Sequence, residues 1–196
     1  MLDAVQTLAG RILATALVVG ALAPSAPTAA QAPRRAALRQ LLSGIEDTPT
    51  VEDWRRIGDG ALPVLLSLFQ DPQEPAYVRR RALGATAAFA RPAVRTFLLA
   101  AGRLEGQHDL FVREAVFALA RGFGRRAVGD VASFFGHEAA SVREAVAIAL
   151  GRIGGAEARA AIAARLRVEQ DSLVREALER ARARSTADPD RAPSAQ

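Results

Sequence analysis

A short phrase recurs along this chain at a nearly constant interval, and it limits the possible folds more than any other feature. Val-Arg followed by a helical apolar pattern begins at Val78, Val112, Val142 and Val174, with spacings of 34, 30 and 32 residues. In the third copy the apolar residues are Val142, Ala145, Val146, Ala149, Leu150 and Ile153. Their offsets of 0, 3, 4, 7, 8 and 11 fall on one face of a helix. The second copy repeats the pattern with Val112, Ala115, Val116, Leu119, Ala120 and Phe123. The first keeps Val78, Ala82, Ala85 and Phe89 but sets Arg81 and Thr86 on the stripe.

The punctuation of these helices is also legible. Ser141 and Glu144 have the S-x-x-E spacing of a capping box, and Gly154-Gly155, like Gly122 with Gly124, supply stops. A second apolar segment follows each stop, at 93–101, 127–135 and 157–166. Each unit is therefore helix, turn, helix. One such hairpin cannot bury its own apolar face, so the copies must stack on one another.

Upstream, residues 50–71 have the same architecture in different words. Thr50 caps a helix carrying Val51, Trp54 and Ile57, Gly58-Asp59-Gly60 turns the chain, and Leu62, Leu65, Leu66 and Phe69 make a second stripe. Pro63 fits the first helical turn, and Trp54 reads as a core residue rather than a stacking platform. Leu38, Leu41, Leu42 and Ile45 predict a capping helix before it. At the far end Leu178 and Ala181 continue the stripe, while Arg182 and Ser185 replace its next apolar positions, as suits a terminal unit with one wet face. Residues 70–75 read as an interhelix loop, and 185–196 have the composition of a disordered tail.

The first thirty residues are a different kind of sequence. Arg11 precedes an apolar run from Ile12 to Ala23, then Pro24 and a stretch of small residues. The run is short for a membrane span, which needs about 20 residues, but it suits a signal-peptide core. Thr28 and Ala30 place small side chains where a signal peptidase reads, so cleavage after Ala30 is expected, leaving Gln31 first. The expected location is the periplasm or beyond; an uncleaved membrane anchor and a cytoplasmic chain are the alternatives. The domains are then 1–30 as signal peptide, 31–49 as linker and capping helix, 50–184 as the repeat region and 185–196 as tail.

From these residues a resemblance follows. The segment SVREAVAIALGRIGGAEARAAIAARL resembles a HEAT repeat of the short type found in phycobilin lyases, and FVREAVFALARGFG and LVREALERA are similar. The likeness covers about residues 50–184. It implies an all-α chain folded as a right-handed α-solenoid of about four to five helical hairpins, with second helices on the concave side and a protein as partner. Arg79, Arg113, Arg143 and Arg175 match the family's recurring Arg. They are expected to form a ladder between units, with heads on loop carbonyls or on carboxylates such as Asp109 and Asp171. Glu114, Glu144 and Glu176, one position on, are expected to point to solvent.

Signs of catalysis are sparse. There is no Cys, and the two His, His108 and His137, fall in interhelix loops without the second His of an H-E-x-x-H motif. No nucleophile elbow or facing carboxylate pair is present. A non-catalytic interaction module is therefore expected, with no metal and no cofactor. A bilin-lyase-like or other HEAT-fold enzyme is the alternative.

All 26 basic residues are Arg, against 21 acidic, so the net charge of +5 is a modest excess. Nucleic acid is not the expected partner. A cytoplasmic anion- or nucleic-acid-binding scaffold using Arg79 to Arg81, Arg125 and Arg126 remains the reading if the N-terminus is not a signal. Arg125 and Arg126 stand where a helix begins, so an anion or partner contact is expected there. Membrane contact is expected only through an uncleaved N-terminus.

Overall fold

Helices form wherever the apolar phase is unbroken, and in the computed structural model they account for most of the described residues, 32–44 and 49–187. The signal segment, its cleavage site, Ile45 and residues 188–196 of the tail lie outside the described residues. Among the described residues there is no strand, and no helix is long and apolar enough to cross a membrane.

The chain opens with α1 (Ala32–Ser43), followed by the hairpin of α2 (Val51–Ile57) and α3 (Ala61–Gln70). Three further hairpins follow: α4 (Ala76–Ala85) with α5 (Pro92–Arg103), α6 (Asp109–Phe123) with α7 (Val128–Ser133), and α8 (Ala140–Ile153) with α9 (Gly155–Leu166). The last helix is α10 (Ser172–Ala187), which carries three residues of the stretch read as tail. The helices α4, α6, α8 and α10 pack successively against one another, with α3 against α4, α5 against α6, α7 against α6 and α8, and α9 against both α8 and α10. This is an α-solenoid.

The stripes account for the core. Val142, Ala145, Val146, Ala149, Leu150 and Ile153 are all buried, as are Val112, Ala115, Val116, Leu119 and Phe123 in α6 and Val174, Leu178 and Ala181 in α10. Trp54 is buried too. Leu41 departs from the expected stripe: α1 buries Leu38 and Leu42 and leaves Leu41 42% exposed. Thr86 is tolerated in the core because its hydroxyl donates to the Leu83 carbonyl (2.7 Å).

Two glycines set how closely the first helices approach. A Cβ on Gly122 would lie 2.9 Å from the Ala87 carbonyl oxygen, and one on Gly151 would lie 2.8 Å from the Ala181 Cβ. Gly122 is therefore a contact point inside α6 and not its stop. The stop is Gly124 (φ +53°), as Gly154 (φ +65°) is for α8.

The capping signals divide. Thr50 and Asp53 form the reciprocal box at α2: the Thr50 hydroxyl accepts from the Asp53 amide (3.2 Å), and the Asp53 carboxylate accepts from the Thr50 amide (2.9 Å). Ser141 and Glu144 form none, because α8 begins two residues earlier, with Ala139 as its N-cap. The His137 ring nitrogen accepts from the Ala139 amide (3.1 Å) instead, and the Ser141 hydroxyl donates to Asp109 (3.2 Å). His108 serves α6 in the same way, accepting from the Leu110 amide (3.2 Å).

Candidate partner-binding groove

The residues that could meet another molecule depend on which Arg side chains the fold consumes. The ladder Arg residues turn mainly to backbone oxygens. Arg79 donates from Nε to the Phe69 carbonyl (2.9 Å), with its guanidinium 5.1 Å from the Phe111 ring centroid. Arg143 donates to the carbonyls of His137 (3.0 Å) and Glu138 (2.6 Å), and Arg175 to those of Leu166 and Glu169 (3.0 Å each). Arg113 makes none of these contacts, so the ladder lacks that rung.

The carboxylates differ from expectation. Asp171 accepts from the amides of Leu173 and Val174 and caps α10, and Asp109 takes Ser141. The carboxylate that meets the ladder is Glu169, whose side chain is 1% exposed. It accepts from Arg143 Nε and Nη2 (3.0 Å each), from Arg165 Nε (2.7 Å), and from the amides of Gln170 and Asp171. Burial pushes its pKa up, but the hydrogen bonds from Arg143, the Asp171 amide and Arg165 together outweigh that and hold it at about 2. Glu169 is thus a clamp joining α8, α9 and the loop into α10. Sequence reasoning missed it, although its position five residues before Val174 holds Gln73, Gln107 and His137 in the other units.

Arg125 and Arg126 are exposed in the 3₁₀ turn Gly124–Ala127, and no ion pair reaches either. The helix that follows has six residues, and its first-turn carboxylate, Asp130, pairs with Arg95. The two arginines are brought to no other functional side chain. Among the described residues no group of His, Asp or Glu is placed to hold a metal ion.

A cluster of charged side chains lies elsewhere, in a cleft of about 410 Å³ where α1 and α2 meet α4 and α6. Leu42, Val51, Trp54 and Ala85 give it an apolar floor. Arg80, Arg81, Glu114 and Arg121 form its polar wall. Glu114 does not point to solvent as expected. Its carboxylate, 12% exposed, joins two helices by accepting from Arg80 Nη1 (3.1 Å) and Arg121 Nη2 (2.8 Å).

Gly84 makes room for this arrangement, since a Cβ there would overlap the Glu114 carboxylate. Arg81 donates to the Leu42 (2.8 Å) and Gly44 (2.5 Å) carbonyls and so satisfies the end of α1. Outside the groove, Arg35 and Arg39 of α1 hold Glu74 at 3.0 and 2.8 Å and so tie α1 to the loop before α4. The groove thus has rigid walls drawn from four helices.

A sequence model of HEAT repeats matches residues 102–183, from the end of α5 to α10. That segment is built of HEAT repeats. The matched segment holds the tightest first-helix packing and the Glu169 clamp, while the groove lies at the N-terminal end of the stack and enters the match only through Glu114 and Arg121. HEAT repeats generally serve as scaffolds for protein interaction. No curated protein matches the chain.

Proposed function

We propose that this protein is a non-catalytic scaffold, acting outside the cytosol, that holds a partner protein in the groove between α1–α2 and α4–α6. The observation that carries this reading is the groove itself. Its wall presents arginines with unused donors above an apolar floor, on helices fixed by ion pairs and backbone hydrogen bonds. The stripes of the first helices are consumed by stacking, so a partner must be met by residues off the stripe. Placement outside the cytosol rests on the apolar run from Ile12 to Ala23 and the small residues before Gln31.

A photo-crosslinking residue placed at Val51 in the groove, and separately at the exposed Ala164 on α9, tests the reading in cells making the full chain. Adducts to a second polypeptide are expected from position 51 and not from 164. Intact mass of the recovered protein should show a chain beginning at Gln31 in the periplasmic fraction. Equal adducts at both positions, or none, would refute the groove as partner site. A cytosolic chain still beginning at Met1 would refute export.

A further inference from the structure

We propose that the groove selects carboxylates, taking an acidic peptide segment with an apolar neighbour, and that Glu114 is a built-in competitor for the same arginines. The inference rests on the reading of this groove as the partner site. Each guanidinium carries five N–H donors in a planar fork that matches a carboxylate edge to edge. Arg80 gives Glu114 one nitrogen and Arg121 gives it one, the latter also reaching the Gly84 carbonyl at 3.3 Å. Both side chains remain about two-fifths exposed, at 40% and 42%. Three arginines face one glutamate, so the wall keeps an excess of two positive charges.

A nucleic-acid backbone suits this wall less well than a peptide does. It carries a charge every few ångströms, more than the exposed forks of Arg80 and Arg121 can meet, and brings no aliphatic side chain to the apolar floor. An acidic peptide can place one or two carboxylates on the exposed forks. It can also lay an apolar side chain over Val51 and Trp54, which supply area that charge alone does not.

Competition by Glu114 gives this reading an unusual signature. Removing a carboxylate that merely holds the fold together would weaken or leave unchanged whatever binds nearby. Removing one that occupies the ligand's own donors should tighten it. Glu114→Gln keeps the shape of the side chain and frees both forks.

The test is panning of a random peptide display library on the immobilised full chain. Affinities of recovered peptides are then read from the fluorescence of Trp54, the chain's one tryptophan. Recovered sequences should be enriched in Asp and Glu next to an apolar residue. Glu114→Gln should bind them about tenfold tighter, the scale of one charge-assisted hydrogen bond. Arg80→Gln with Arg121→Gln should bind about tenfold weaker or worse on the same scale. Because that pair leaves Glu114 without partners, the triple variant Arg80→Gln, Glu114→Gln, Arg121→Gln, which strands no charge, should show the same loss while keeping its helical circular dichroism.

Enrichment of neutral or basic peptides would overturn the inference and leave the scaffold reading standing. No enrichment at all would overturn both. Acidic peptides that bind the triple variant undiminished, weaker binding by Glu114→Gln, or tighter binding of a single-stranded oligonucleotide than of any peptide would each overturn the inference. A similar gain on replacing Glu46 and Asp47 by Gln and Asn would also overturn it, by making the linker the occupant.

Discussion

Replacing Glu169 by Gln removes a charge from the middle of the C-terminal units while keeping their shape. Its carboxyl is held at about 2 against an ordinary 4.5, which corresponds to about 3 kcal/mol of preference for the ionised form in the folded chain. The side chain is 1% exposed, so solvent does little to screen that preference. Arg143 and Arg165, 13% and 21% exposed, would lose their shared carboxylate. Glu169→Gln should therefore cost about 3 kcal/mol at neutral pH, the range for removing one partner of a buried pair.

The sign of the pH dependence follows from the depressed value. The unfolded chain binds more protons at this group between about pH 5 and pH 2. The Glu169 contribution is thus complete above that window and declines as pH falls through it. The difference between the parent chain and Glu169→Gln should shrink by more than half by about pH 3. Urea unfolding followed by circular dichroism at pH 7 and pH 3 measures it, since Trp54 lies at the opposite end of the stack. A difference below about 1 kcal/mol at pH 7, or one that is equal at both pH values, would refute the clamp.

Four further substitutions probe the stack and its caps. Leu150→Ala empties a fully buried site between first helices and should cost about 2 to 5 kcal/mol in the same urea experiment. Gly122→Ala presses a methyl to 2.9 Å from the Ala87 carbonyl, which as backbone yields little, so a loss of about 1 to 3 kcal/mol is expected. Thr50→Ala should lower stability by about 1 kcal/mol through loss of the α2 cap. Ser141→Ala, away from any cap, should stay within about 0.5 kcal/mol, and equal losses at the two would contradict the assignment.

The architecture was legible because stacking demands an apolar face on every unit, and periodicity records that demand directly. Burial of all six residues from Val142 to Ile153 follows from their offsets alone. Caps were less so. A capping box is a statement about where a helix begins, and Ser141–Glu144 has the right letters two residues too late because His137 and Arg143 satisfy the preceding backbone.

The groove was not legible, since it joins Trp54 to Arg121 across units and depends on how α1 leans on α4. Glu169 left a trace in its register against Gln73, Gln107 and His137, but a lone acidic residue in a loop says nothing of burial until the neighbouring unit is placed. The Arg at offset 1 was read as a ladder, and three of its members behave as one. Arg113 does not, and no feature of its own sequence distinguishes it.

The near-contact of Gly122 with Ala87 and of Gly151 with Ala181 has a mechanical consequence. Where helices already touch through a missing side chain, no further approach is possible, so the first-helix layer is incompressible. Bending that would crowd this layer meets hard contact at once, while bending that spreads it meets only the gradual loss of dispersion and burial. The stack is therefore stiff in one sense and compliant in the other. A partner that must flex the rod to seat itself will find one direction open and the other blocked.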